Sequence, residues 1–373
     1  MSGSSSKLLY YRGFYIAKQK IMIPNFESYK LKDNTLLFVH CEQKVKIIDS
    51  GEMKFWVIGT FFNLEGRSLD AVFDYESFNK VLYNTCGRFV ILVKKGEELR
   101  VYGDPSNSMS YCFSEHAVAS SPELCCIITN KNEGSYNKKI YDRFGLTRGF
   151  GYITNESSYE DVFWGTPNHY LDINLMKQIR FFPNRRNPFA ELSMQECILE
   201  IKNIVEESMR CLLDRYDDVI MELTGGLDSR FAFVLGKKYI NCLEFYTYNL
   251  KDVFSKDEDY GKKIAQYYKL NHTVYRIKPN DYEGLDEYAR FREVTKHNND
   301  IPQHIAPLAF LLFNQYHRRN AVRIYSRISE IGRAYLPGGD YIESAEDVYS
   351  EFVYEKKKDL LKHRNSSAVL HII

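Results

Sequence analysis

A chain of 373 residues is too long for one ordinary core and implies about two domains. Its composition is globular, 44% hydrophobic and 27% charged, and a net charge of +1 excludes the large basic footprint of a nucleic-acid binder. No apolar run approaches the roughly 20 residues of a membrane helix, and the opening Met1-Ser2-Gly3-Ser4-Ser5-Ser6-Lys7 lacks an apolar signal core. A cytoplasmic chain with neither nucleic-acid nor membrane partners is therefore expected. Its eight cysteines (Cys41, Cys86, Cys112, Cys125, Cys126, Cys197, Cys211 and Cys242) form no CxxC pair, so they read as small core hydrophobes in a reducing compartment.

In chain order, the first half is a succession of short strand patterns. Residues 55–59 and 88–93 are aromatic and β-branched runs. Residues 99–102 follow a turn-like Lys95-Gly96-Glu97-Glu98, so the last two runs read as a hairpin. Gly103-Asp104-Pro105-Ser106-Asn107 is a further turn signal. This half is expected to be a sheet-rich α+β domain spanning residues 1–182. The pattern shifts at Pro183-Asn184-Arg185-Arg186-Asn187-Pro188, where the second domain, 183–373, begins.

Beyond that boundary, helices and strands alternate. Ser193 and Glu196 have capping-box spacing, and Ile198, Ile201, Val205, Met209, Leu212 and Leu213 recur at helical spacing. Residues 219–223 read as a buried strand, followed by a glycine-rich turn and a short helix over 228–235 closed by Gly236. A strand is expected at 242–248. Ser255 and Glu258 have the spacing of a second capping box, opening a helix that carries Tyr260, Ile264 and Tyr267 and stops near Asn271. A third strand covers 272–277. This order implies right-handed crossovers and a parallel α/β sheet with helices on both faces.

The chemistry concentrates in Leu223-Thr224-Gly225-Gly226-Leu227-Asp228-Ser229. Two glycines alone would merely join a strand to a helix. The full string lies at the carboxyl end of a strand, where open α/β sheets take ligands, and it runs straight into a helix N-terminus. Glycines let the backbone approach an anion, Thr224 and Ser229 offer hydroxyls, and Asp228 offers a carboxylate for Mg²⁺. Each part suits a pyrophosphate.

Thr224-Gly225-Gly226-Leu227-Asp228-Ser229 resembles the Ser-Gly-Gly-x-Asp-Ser loop of the N-type ATP pyrophosphatases, and most closely that of the asparagine synthetase family, which includes β-lactam synthetase. The order Gly87-Arg88-Phe89-Val90, Gly103-Asp104-Pro105, then Ala119-Ser120-Ser121-Pro122-Glu123-Leu124 is similar to that family's class II glutaminase-like (Ntn-type) domain, and Thr166-Pro167-Asn168-His169-Tyr170-Leu171 to the segment joining it to the synthetase domain. The resemblance implies an ATP- and Mg²⁺-dependent ligase that adenylates a small-molecule carboxylate and passes it to ammonia or an amine, asparagine from aspartate being the family default. It implies ATP-binding roles for residues 223–229, for Arg230, for Thr247 at the end of the second strand, and for Glu330.

Three departures qualify that expectation. Ser2 stands where the family's glutaminase has its nucleophilic cysteine, so glutamine hydrolysis is expected to be lost and the first domain to be a scaffold. Ser329 precedes Glu330 where the family has Asp before Glu, a position near the phosphates, with Arg327 and Arg333 nearby. The chain also ends in the apolar Ala368-Val369-Leu370-His371-Ile372-Ile373, before the family's last helices, and no catalytic lysine is assignable. A catalytically impaired nucleotide-binding or scaffold relative is the competing reading, and a homodimer or a partner completing the carboxyl end is left open. His272, His297 and His304 read as structural, and Asp257, Glu258 and Asp259 as helix-dipole partners.

Overall fold

The computed structural model describes residues 10–18, 21–130, 155–157, 159–183, 190–249, 255–278, 282–298, 306–324 and 326. Ser2, His304, Ser329, Glu330 and the carboxyl-terminal stretch from 331 lie outside the described residues, as does the side chain of His297.

The first half contains β1 (Phe14–Ala17), β2 (Phe26–Lys32), β3 (Thr35–His40), β4 (Val45–Asp49), β5 (Met53–Asn63), α1 (Tyr75–Tyr83), β6 (Thr85–Lys95), β7 (Glu98–Gly103), β8 (Cys112–Phe113), β9 (Ala117–Ala119), α2 (Pro122–Ile128), β10 (Phe163–Trp164), β11 (His169–Asp172) and β12 (Lys177–Arg180). The strands form two antiparallel sheets, ordered β10-β8-β9-β1-β3-β2 and β12-β11-β7-β6-β5-β4. Period-2 alternation decides the layering. Phe14, Ile16, Leu37 and Val39 of the first sheet meet Trp56, Ile58, Val90 and Leu92 of the second in one core. The opposite faces bury Tyr15 and Phe38 with α2 residues Leu124 and Cys125, and Phe55, Phe89 and Ile91 with α1 residues Phe78 and Val81. The result is a helix–sheet–sheet–helix sandwich.

The expected hairpin pairs β6 with β7 from Lys95↔Glu98 onward. The 103–107 turn is built on Asp104, whose buried carboxylate accepts from the backbone N–H groups of Ser106, Ser108 and Met109 and from both serine hydroxyls. The 166–171 segment is not a plain connector. His169, Tyr170 and Leu171 are strand residues of β11, and β11 pairs with β7 inside the second sheet.

The second half contains α3 (Met194–Leu213), β13 (Asp218–Glu222), α4 (Leu227–Leu235), β14 (Glu244–Asn249), α5 (Lys256–Tyr268), β15 (His272–Arg276), α6 (Asp286–Asn298), α7 (Ala306–Tyr316) and β16 (Ala321–Ile324). Its sheet is parallel throughout, in the order β15-β14-β13-β16. Val219, Met221 and Leu223 face α3, α4 and α5 through Met209, Phe233 and Ala265, and Ile220 and Tyr246 face α7 through Leu308 and Leu312. Helices thus cover both faces, as the alternation requires. The chain moves outward from β13 to β15 and then returns across β13 to β16. With right-handed crossovers, that reversal transfers the later helix to the opposite face.

Two local expectations change. Ser193 and Glu196 do form a reciprocal capping box on α3, but Ser255 makes no side-chain cap on α5, and the Glu258 carboxylate that would return the box is held by Asn249, Lys262 and Arg276. Helix α5 ends in a left-handed Lys269 rather than at Asn271, and its buried face is Glu258, Gly261 and Ala265, leaving Tyr260 and Tyr267 exposed. Among the cysteines, Cys112, Cys125 and Cys126 are buried, whereas Cys41 and Cys242 are exposed. Of the helically spaced apolar set on α3, Met209 is buried, and Ile198 and Ile201 are exposed.

Gly261 sets how closely α5 lies on the sheet. A Cβ there would run into the Thr247 hydroxyl and the Leu223 carbonyl oxygen. The backbone oxygen has nowhere to go, so Gly261→Ala is expected to cost about 1–3 kcal/mol of stability through overpacking. Urea denaturation measures it, and a wild-type midpoint would show that the helix can shift without penalty.

Candidate functional site

The glycine-rich segment leaves the carboxyl end of β13, the strand from which the sheet order reverses (β14 on one side, β16 on the other). Such a switch point opens a crevice at the strand ends. Leu223 anchors the segment: its side chain is fully buried and its N–H donates to the Tyr246 carbonyl at 2.8 Å.

The two hydroxyls expected to face a ligand are turned inward. The Gly226 N–H donates to Thr224 Oγ1 at 3.1 Å, the Thr224 N–H donates to Ser229 Oγ at 3.0 Å, and the two hydroxyls lie 2.9 Å apart. Both side chains are buried. They brace the loop, and the binding surface is left to the backbone. Helix α4 starts at Leu227 with Gly226 as its N-cap and no side chain capping it. The first-turn N–H groups of a helix have no acceptor within the helix, and they carry the positive end of its dipole. This is an anion-binding geometry.

Gly225 faces the first turn of α5. A Cβ there would sit 3.0 Å from Asp257 Oδ1, 3.0 Å from Tyr260 Cδ2 and 3.1 Å from the Lys256 carbonyl oxygen. The helix therefore walls the loop, and the Asp257 carboxylate, assigned from sequence to the helix dipole alone, lies beside it. Asp228 is partly exposed in the first turn of α4, and Leu227 projects outward with 66% of its surface exposed. Arg230 Nε donates to the Gly226 carbonyl at 3.3 Å, and its guanidinium lies 5.9 Å from the Tyr260 ring centre. Arg230 thus closes the loop on α5.

Thr247 lies within reach of the loop, but its side chain is fully buried. Its hydroxyl donates to the Leu223 carbonyl, and His272 Nε2 lies 2.8 Å from the same oxygen. Since the hydroxyl proton is committed to Leu223, the imidazole donates to Thr247, which fixes an Nε2–H ring. Burial, and then Lys262, push the His272 pKa below its ordinary value, so the ring is neutral near neutral pH. His272 is structural, as read from sequence. Glu330 falls outside the described residues.

Sequence reasoning missed the cluster around Glu258. This carboxylate is 7% exposed. It accepts from Arg276 Nη2 at 2.6 Å and Nε at 3.1 Å, from Asn249 Nδ2 at 3.0 Å, and from Lys262 Nζ. Asn249 and Arg276 are partners in register at the carboxyl ends of β14 and β15. The signal in the sequence was the Asp-Glu-Asp run of 257–259 itself, whose middle member turns inward to meet a strand end.

A cavity of about 290 Å³ lies in the first half, lined by residues that include Ile16, Lys18, Glu115, His116 and Met176. No loop residue borders it.

No protein-family model matches the sequence, and no curated protein matches it. Among solved structures, the chain is similar to an NH3-dependent NAD synthetase from Campylobacter jejuni (12% identity, TM-score 0.26, covering 39% of this chain and 62% of that one). It is also similar to the allosteric regulatory enzyme of purine biosynthesis (9% identity, TM-score 0.28, 74% and 76% covered) and to the glutamine phosphoribosylpyrophosphate amidotransferase of B. subtilis (10% identity, TM-score 0.25, 64% and 62% covered). The first and third likenesses span less than two thirds of the compared chains, and the reading of the site rests on its own geometry. Among the described residues, no helix is long and apolar enough to cross a membrane.

The Glu258 cluster has a signature in acid. Arg276, then Asn249, then Lys262 hold its pKa down to about 2 from the usual 4.5. A depressed carboxylate pKa stabilises the fold above the unfolded value and loses that contribution as pH falls toward the folded value. The stability difference between wild type and Glu258→Gln is thus expected to be full above about pH 4.5 and to shrink toward pH 2. Urea midpoints measured across that window check it, and a difference that does not change with pH would contradict the ion network.

Proposed function

We propose that this chain is an ATP-dependent, amide-forming ligase of the asparagine synthase type. One observation carries the reading: a helix N-terminus with no side-chain cap follows a glycine-rich loop at the switch point of a parallel sheet, and the loop's two hydroxyl side chains hold its own shape. Backbone N–H groups held in place before any ligand arrives stabilise charge without reorganising, which suits a leaving pyrophosphate.

In this reading ATP lies with its β- and γ-phosphates on residues 224–229. Attack of a substrate carboxylate on the α-phosphorus forms an acyl-adenylate and releases pyrophosphate. Ammonia or an amine then attacks the acyl carbon and expels AMP. The oxygen donors present suit Mg²⁺, which takes carboxylates and phosphate oxygens: the Asp228 carboxylate stands in the first turn of α4, and the Asp257 carboxylate stands beside Gly225. When bound, Mg²⁺ would neutralise phosphate charge there. The sandwich domain serves as a scaffold without glutamine hydrolysis.

Asp228→Ala removes the loop's own carboxylate and is expected to lower pyrophosphate release by at least about a hundredfold, with thermal unfolding close to wild type. The assay is a pyrophosphate-release screen of the purified chain with ATP, amino acids and ammonia. Undiminished turnover in that variant would remove the mechanism, and no release with any acid in the wild type would favour a nucleotide-binding relative without catalysis.

A further inference from the structure

Helix α4 is apolar on two faces. Its inner face sends Phe233 into the core with Met221 and Phe245. Its outer face carries Leu227, Phe231 and Val234 at the i, i+4, i+7 spacing of a single stripe, and all three are at least half exposed. A surface helix ordinarily turns polar residues to solvent, and one that is apolar all round is a buried helix. The neighbouring helices touch α4 only toward its ends: Met209 of α3 fills the space beside Gly236, and Tyr260 of α5 meets Gly225. The stripe stays uncovered.

Helix α3 has the same mismatch in its first half. Its second half is seated, with Met209 buried and Val205 and Leu212 packed against the same core. From Met194 to Ile204, by contrast, every residue except Cys197 is exposed, and Met194 is 72% exposed. Met194, Ile198 and Ile201 repeat the i, i+4, i+7 spacing, so the two stripes have the same length, about 10 Å. Single apolar side chains are ordinary on a surface, whereas two matched stripes on neighbouring helices mark an interface. The charges match as well. The exposed half of α3 carries Glu196 and Glu200, its Lys202 being paired with Glu206 at 3.7 Å, and α4 runs into the exposed Lys237 and Lys238.

We propose that α3 and α4 form the interface of a two-fold homodimer, in which residues 194–201 of one copy lie antiparallel along residues 227–234 of its partner. Both helices cover the same face of the sheet, so a two-fold axis makes the contact twice and closes the assembly at two chains. Antiparallel docking sets the acidic start of α3 against the basic end of the partner's α4. The area is sufficient: the six side chains offer each copy roughly 600 Å² of apolar surface, and a standard interface buries about 800 Å² per partner, of which about two thirds is apolar in homodimers. Leu227 is the first residue of α4, so the partner sits beside the glycine-rich loop.

The test measures the mass of the purified full chain by light scattering and sedimentation equilibrium over a wide range of concentration. Wild type is expected to form a two-chain species. Ile198→Lys on α3 and Phe231→Glu on α4 each put a charge into both contacts, and each is expected to raise the dimer Kd by at least about a hundredfold. Phe73→Glu, at an exposed apolar residue of the sandwich, is expected to leave the dimer unchanged. Circular dichroism and thermal unfolding check that the variants keep the fold, since all three positions are exposed. Mixing Ile198→Lys with Phe231→Glu is expected to restore a dimer. One of its contacts then sets the introduced lysine against the introduced glutamate, and the other is wild type on both sides. A monomeric wild type would overturn the dimer and leave the chain's own apolar run at 368–373 as the candidate cover. A dimer that survives both charged variants, or that Phe73→Glu dissociates equally, would move the interface off this face. A mixture that stays monomeric would overturn the α3–α4 pairing, and a mass that keeps growing with concentration would overturn the two-fold closure.

Discussion

The second half of the chain depends on how closely α5 lies over the ends of β13 and β14. Gly261 presents a bare Cα at the contact, and the Thr247 hydroxyl fills the space that a side chain would take. That hydroxyl donates to the Leu223 carbonyl and accepts from His272, so one buried oxygen on β14 ties the segment that follows β13 to the first residue of β15. Water has no access there, and a hydrogen bond in such surroundings is strong when made and costly when broken. The contact brings the first turn of α5 against Gly225. Both glycines are therefore required by the same approach, one at the helix and one at the loop.

Division of labour follows within the loop. Thr224 and Ser229 are buried and satisfied by each other and by the backbone, so they stiffen the turn rather than reach outward. What remains is the start of α4, with its N–H groups and its dipole, and the carboxylates of Asp228 in its first turn and Asp257 beside Gly225. A loop built this way offers backbone donors and a helix dipole rather than hydroxyl side chains.

The parts of this arrangement that were legible in the sequence are the local ones. Alternation along 88–93 and 99–102 forecasts a hairpin because a period of two needs no distant partner, and Ser193 forms its box with Glu196 because nothing competes for either. Ser255 has the same spacing to Glu258, yet the box fails. Arg276 and Asn249, at two strand ends brought together by the parallel register, offer Glu258 charge-assisted partners that outbid a backbone N–H. The two-residue strands β8 and β10 carry no usable periodicity, and their sheet position is set by pairing with β9 and with each other. The inward turn of Thr224 and Ser229 was equally out of reach, since donors that serve a ligand and donors that serve a loop are the same residues in a sequence.

The sandwich meets the α/β half at the carboxyl end of α3. Tyr216 shares a hydrogen bond with Thr60, Arg215 donates to the Phe61 carbonyl at 2.8 Å and lies over the Phe62 ring, and the Cys86 thiol lies 3.0 Å from the Ser208 hydroxyl. One turn away, Met209 occupies the space that a side chain on Gly236 would need, at the end of α4. A continuous line of packed contacts thus runs from β5 and β6 through α3 to the helix whose other end opens the loop. The Ser208 hydroxyl already donates to the Ile204 carbonyl at 2.7 Å, so it accepts from Cys86, and burial pushes that thiol's pKa up, keeping it protonated. These contacts give the first domain a physical role that needs no chemistry of its own: it fixes α3, and α3 fixes the axis of α4 on which the direction of the loop's N–H groups depends.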